Sequence, residues 1–223
     1  GWWRITSYPL EYSSFAQAMA YLSIPTPFMG YAVLLFFLIS GFCIHYPNTS
    51  ACPRPCWKSY FVRRFWRIYP TYFFALLFTS GTSFVMLKLW GDKNFNICEI
   101  VRAATLTQNY PPDSGPILTN PSLWTIPLEI EFYCLYPLVF SILISKRYSF
   151  LWIISFCASA LSIFLSYQGY SWLTLTALFL WPSWLLGAWI AQLFRDQNLK
   201  KIKLSYLLSL TGVSLGVALM SRY

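Results

Sequence analysis

The chain has 223 residues, of which 57% are hydrophobic and only 10% charged, with net charge +9 and mean hydropathy +0.51. Soluble domains carry about 25% charged residues, so this composition excludes a water-soluble globular body. Aromatic residues make up 21% of the chain, including 11 Trp and 16 Tyr, side chains that suit a membrane–water interface.

Long stretches contain no Asp, Glu, Lys or Arg: 12–53, 68–87, 148–194 and 204–221. About 20 apolar residues cross the hydrocarbon core as a helix. Segment 148–194 is long enough for two such helices, broken at the turn-like 167–171. The predicted spans are 28–46, 69–89, 127–145, 149–167, 172–194 and 204–221. The runs are continuously apolar without in/out alternation, which argues against a β-barrel. The expected fold is all-α: a polytopic integral membrane bundle of about six helices, forming one domain over 1–223.

The basic charge is distributed unevenly. With six spans, loops 47–68, 146–148 and 195–203 share one side and hold 11 of the 16 Lys and Arg. The positive-inside rule puts that side in the cytoplasm. The membrane accounts for the basic balance, so no nucleic-acid partner is expected. Segment 90–126 then lies outside. Within it, Ile97, Ile100, Val101 and Ala104 recur at helical spacing, which predicts a short amphipathic helix over 97–106. Residues 109–121 are rich in Pro, Asn and Asp and are expected to be irregular.

Of six cysteines, Cys43, Cys98, Cys134 and Cys157 lie in or beside apolar helices, where Cys behaves as a small hydrophobe. Cys52 and Cys56 flank a Pro-Arg-Pro turn. No second Cys or His pair completes a zinc set, so no metal site is expected. His45 is the single histidine. It could serve as a base by residue type. With no acid or nucleophile near it in sequence, an imidazole bonded to a carbonyl or headgroup at a helix end is the favoured reading.

Three segments could carry chemistry. In 63–70, RRFWRIYP, Arg64 and Arg67 are three apart and share a helix face. They could grip phosphates through forked hydrogen bonds, or simply stop transfer and bind anionic lipid headgroups. In 123–137, LWTIPLEIEFYCLYP, Pro127 is expected at the first helical position, which would put Glu129 at the third. That acid is either a helix-dipole group or a functional intramembrane carboxylate. Glu131 leaves another face, so the two acids do not pair as a glycosidase requires. In 36–42, FFLISGF, Ser40-Gly41 is a small step that lets another helix approach.

Taken together and in this order, the three segments resemble the membrane acyltransferase 3 family, whose members O-acylate sugars and lipids. FFLISGF resembles the family's second-helix motif. RRFWRIYP is similar to its R-x-x-R element, and LWTIPLEIEFYCLYP to its W-[ST]-L-x-x-E-x-x-FY-x-x-x-P helix. The resemblance implies that Arg64 and Arg67, with Arg63 beside them, bind the phosphates of acyl-CoA from the cytoplasm. It implies that Glu129 supports catalysis, and that Ser40, Gly41, Trp124, Phe132 and Tyr133 shape the core. It further implies transfer of an acetyl-type acyl group to a hydroxyl of a cell-surface carbohydrate or lipid-linked sugar, as in polysaccharide or lipopolysaccharide modification. The location would be the inner cell membrane. Acyl-CoA would be a co-substrate, with no other cofactor. The family's catalytic His lies in a helix upstream of the FFLISGF helix, and about ten helices make the domain. Residues 1–27 contain no His, so the expectation is either a partial domain lacking the first and the C-terminal helices or a degenerate member of the family. The rival reading is a transporter or flippase using the same acid and basic mouth. It would lead one to look for inverted repeats, and none is visible.

Overall fold

The computed structural model describes residues 29–50, 55–90, 96–112, 114–115 and 120–196. Among these residues the secondary structure is helical, with no strand. The predicted span at 204–221 and Cys52 lie outside the described residues.

Helix α1 (Met29–Ser50) is apolar on nearly every side, as a helix surrounded by lipid and other helices must be. Helix α2 (Trp57–Trp90) has 34 residues, or about 51 Å at 1.5 Å per residue. That exceeds the roughly 30 Å hydrocarbon core. The arginine cluster, expected in a loop ending at residue 68, therefore rides on the first turns of a continuous helix that runs through Pro70. The loop proper is short. Past the arginines, Phe74 and Phe78 are 71% and 76% exposed, a lipid-facing surface.

The short helix expected in the outer segment is present as α3 (Ile97–Ala104), with Asn96 accepting from the Cys98 N–H. Its last turn is closed in part by its own backbone, the Leu106 N–H donating to the Ala103 carbonyl at 2.8 Å. Tyr72 and Tyr69 of α2 donate to the carbonyls of Ala103 and Ala104, at 2.8 and 3.2 Å. Ala103 is fully buried against Tyr72, Leu76 and Leu123.

A 3-10 turn (Pro121–Trp124) leads into α4 (Thr125–Ile144). This corrects the expected start. Thr125, not Pro127, is the first α-helical residue, and Glu129 falls in the second turn. Helix α5 (Tyr148–Tyr167) follows at the predicted place. It ends with Gly169 at φ 102°, while the Tyr170 N–H reaches back to the Leu165 carbonyl, an ending suited to glycine. A second 3-10 turn (Ser171–Leu175) precedes α6 (Ala177–Arg195). The predicted fifth span thus begins as a 3-10 turn. Buried Ser159 and Ser162 of α5 donate to the carbonyls of Phe179 and Leu173, both at 2.9 Å. Such hydroxyls tie helices together where water is absent.

Four helical stretches are long and apolar enough to cross a membrane: Trp57–Leu89, Ser122–Ile144, Tyr148–Tyr167 and Ser171–Arg195. Helix α1 holds a shorter apolar stretch, Ala32–Asn48. Six spans is therefore an approximate expectation. Helix α6 is the most enclosed and lies directly on α1. A Cβ on Gly41 would stand 2.1 Å from the Trp184 carbonyl oxygen, and one on Gly187 1.8 Å from that of Leu38. Each glycine thus admits the other helix's backbone, as the Ser40-Gly41 step implied for one side. Around this contact Phe37, Phe132 and Trp184 form the core, with Phe132 and Trp184 stacked at 5.1 Å.

Candidate donor pocket and carboxylate site

Arg63, Arg64 and Arg67 line one cavity of about 440 Å³, together with Tyr60 from the same helix. The end of α1 closes it with Cys43, Pro47 and Asn48. No carboxylate lines this cavity among the described residues. Arg63 donates to Ser59 Oγ at 2.7 Å, an i,i+4 contact along α2. Arg64 is half-buried. Its guanidinium carbon lies 5.3 Å from the Tyr133 ring centre and 5.8 Å from that of Tyr60, within cation–π range. The rings hold Arg64 without neutralising it, so its N–H groups remain available to an anion.

The second motif joins the first through Tyr133, whose hydroxyl donates to Glu129 Oε1 at 2.5 Å. Ser40 of α1 also points its hydroxyl at that oxygen, at 3.5 Å. Arg64, Tyr133, Glu129 and Ser40 therefore form a continuous path, linking all three motif segments of the sequence. Because Glu129 sits in the second turn of α4, the dipole effect, which fades beyond the first turn, gives it little. Phe132 is fully buried in the core. Trp124 is half-buried at the start of α4, and its carbonyl accepts from Asn109 Nδ2 at 2.9 Å. Gly41 serves the α1–α6 contact.

Sequence reasoning put Glu131 on another face from Glu129 but missed its partners, and it missed the roles of Tyr110 and Asn109. Glu131 is clasped at the end of the bundle away from the arginine cluster, accepting from the Tyr110 hydroxyl at 2.6 Å and the Ala177 N–H at 2.7 Å. An acid at the first residue of α6 complements that helix's positive end. Burial raises the pKa of the Tyr110 phenol, and donation to Glu131 raises it further. Asn109 pins the same loop by a second bond, to the Leu175 carbonyl at 2.9 Å.

His45 also departs from its expected place. It is fully buried, and instead of a carbonyl or headgroup it meets the Tyr136 hydroxyl at 3.2 Å and Gln192 Oε1 at 2.8 Å. The one available signal was Gln192, an amide inside an otherwise apolar span. Cys56 is exposed and free, and among the described residues no three His, Cys, Asp or Glu cluster as metal ligands.

Long apolar helices, a carboxylate within the bundle and a basic cavity define an integral membrane protein with room for an anionic substrate. The sequence model of the Acyl_transf_3 family, an acyltransferase domain, matches residues 3–221, so the chain belongs to that family of membrane acyltransferases. No curated protein and no solved structure matches it significantly.

Proposed function

We propose that this membrane acyltransferase moves an acetyl-type acyl group from acyl-CoA to a hydroxyl of a cell-surface carbohydrate or lipid-linked sugar, across the inner cell membrane. The observation that carries this reading is the cavity lined by Arg63, Arg64 and Arg67, whose lining among the described residues includes no carboxylate. Coenzyme A presents several phosphate oxygens, and guanidinium groups bind such oxygens in forked pairs. The acceptor oxygen attacks the thioester carbonyl carbon, the C–S bond breaks, and the thiolate leaves. The hydroxyl proton passes to a general base. A thioester is already activated, so the step needs no metal.

Glu129 is the acid assigned to the active site, where it orients the acceptor hydroxyl or the group that deprotonates it. His45 does not fill the base role, because both ring nitrogens are engaged within the core.

The test is binding of acetyl-CoA to the full-length protein purified in detergent. Each lost charged hydrogen bond removes about 1.5–3 kcal/mol. Arg64→Ala with Arg67→Ala should therefore weaken binding by about tenfold or more, and Lys replacements should restore it poorly. Unchanged affinity in the double variant would return the cluster to a lipid-headgroup or topology role.

A further inference from the structure

We propose that His45 is a positioning residue for the donor pocket, acting through Tyr136 on the Tyr60 wall; this rests on the reading of that pocket as the acyl-CoA site. The chain of contacts begins at the cytoplasmic end of α6. Gln192 Nε2 lies 3.2 and 3.3 Å from the two carboxylate oxygens of Asp196. A carboxylate accepts only, so the Gln192 amide turns its NH₂ to Asp196 and its oxygen to His45. His45 Nε2 must then carry the proton and donate to that oxygen. In the neutral ring, Nδ1 is left to accept from the Tyr136 hydroxyl.

Tyr136 passes this constraint to the pocket. Its ring packs on Tyr60 with centres 5.3 Å apart. Tyr60 is 2% exposed, lines the pocket, and lies under Arg64. Among the described residues its buried hydroxyl has no hydrogen-bond partner, and neighbouring rings pack around it. His45 also lies between Cys43 and Pro47 of α1, which line the same pocket. The Asp196–Gln192–His45–Tyr136 chain therefore bears on both walls.

Packing alone does not call for such a chain. Replacing bonded polar groups by apolar groups of the same shape can be nearly neutral for stability, and the surrounding core is aromatic. A bonded network, buried here at His45, Tyr136 and Gln192, instead selects one arrangement of the helices that carry it.

The experiment measures binding of free coenzyme A to the full-length protein in detergent, together with its thermal unfolding midpoint. The variants are Tyr136→Phe, His45→Leu, His45→Gln and the Arg64→Ala/Arg67→Ala pair. Tyr136→Phe and His45→Leu should each weaken binding by about fivefold, within the range of one lost neutral hydrogen bond. The fully folded fraction should be retained at the assay temperature. His45→Gln can still bond both neighbours and should recover part of the affinity. A His45 that serves stability alone would lower the midpoint and leave affinity within about twofold in both variants, less than one such bond supplies, which overturns the proposal. Should His45→Leu fail to fold, Tyr136→Phe, which removes one oxygen, decides the matter. If the arginine pair loses affinity and Tyr136→Phe does not, only the His45 role falls. If the arginine pair binds normally, the pocket reading falls and this proposal with it.

Discussion

Glu129 and Glu131 stand two residues apart on α4, so their side chains leave the helix about 200° apart. Glu129 faces Tyr133 and Ser40, whereas Glu131 faces Tyr110 and the start of α6. Their responses to Gln should therefore differ in kind. In Glu129→Gln, the new amide oxygen can still accept from Tyr133, so the protein should fold normally. Removing the charge where an acceptor is oriented should slow acylation of the native acceptor by about 100-fold. In Glu131→Gln, one carboxylate oxygen becomes an NH₂ facing a donor. Loss of that charged bond should lower stability by about 1.5–3 kcal/mol, with per-molecule activity of the folded fraction largely kept. Thermal unfolding and activity at matched membrane levels separate the two, and a rate loss for Glu131→Gln equal to that of Glu129→Gln would contradict the assignment. The basic and acidic members of this site were legible because R-x-x-R spacing and an acid within an apolar helix are local signals. The His45 contacts were not, because its partners lie 91 and 147 residues away.

At the scale of elements, the contact between α1 and α6 sets much of the geometry. Gly41 and Gly187 let the two backbones touch, and His45 and Gln192 meet about one turn further along. A methyl group at either glycine strikes a backbone carbonyl, which cannot rotate away. Gly187→Ala or Gly41→Ala should thus push the helices apart and destabilise the protein by about 1–3 kcal/mol or more. Gly81→Ala is the control, because a Cβ there meets nothing within 4 Å. Thermal unfolding of the three variants checks this, and equal midpoints would refute the close approach. Gly41 was legible as a small-residue step, but its partner was not: in sequence Gly187 is one small residue in an apolar run. Helix α2 shows the opposite failing. Five basic residues and Pro70 suggested a loop before a span, yet a helix longer than the bilayer can carry such charges on its protruding turns, with Lys and Arg heads at the interface.

At the scale of the whole molecule, two ends can be told apart by what gathers there. His45, Trp57, Phe140 and Gln192 converge at one end; Trp57 meets Phe140 at 5.5 Å. Ala103, Tyr110, Glu131 and Ala177 lie toward the other. Helices α1, α4 and α6 therefore run one way and α2 and α5 the other, which agrees with the alternation inferred from hydropathy. Which end faces the cytoplasm rests on charge distribution alone, because positive residues act on orientation independently of packing. The pocket arginines and the Arg147 turn fall on the end assigned to the cytoplasm. Two native thiols make this testable: Cys56 precedes α2 and Cys98 lies in α3, and both are exposed and free. Each would be kept alone, with the other five cysteines replaced by Ser. A membrane-impermeant maleimide applied to intact cells should label Cys98 and spare Cys56 until the membrane is permeabilised. Labelling of both from outside would break the alternation of spans between them. Labelling of Cys56 alone would invert the orientation and put the arginine pocket on the face away from cytoplasmic acyl-CoA, removing the donor assignment along with the topology.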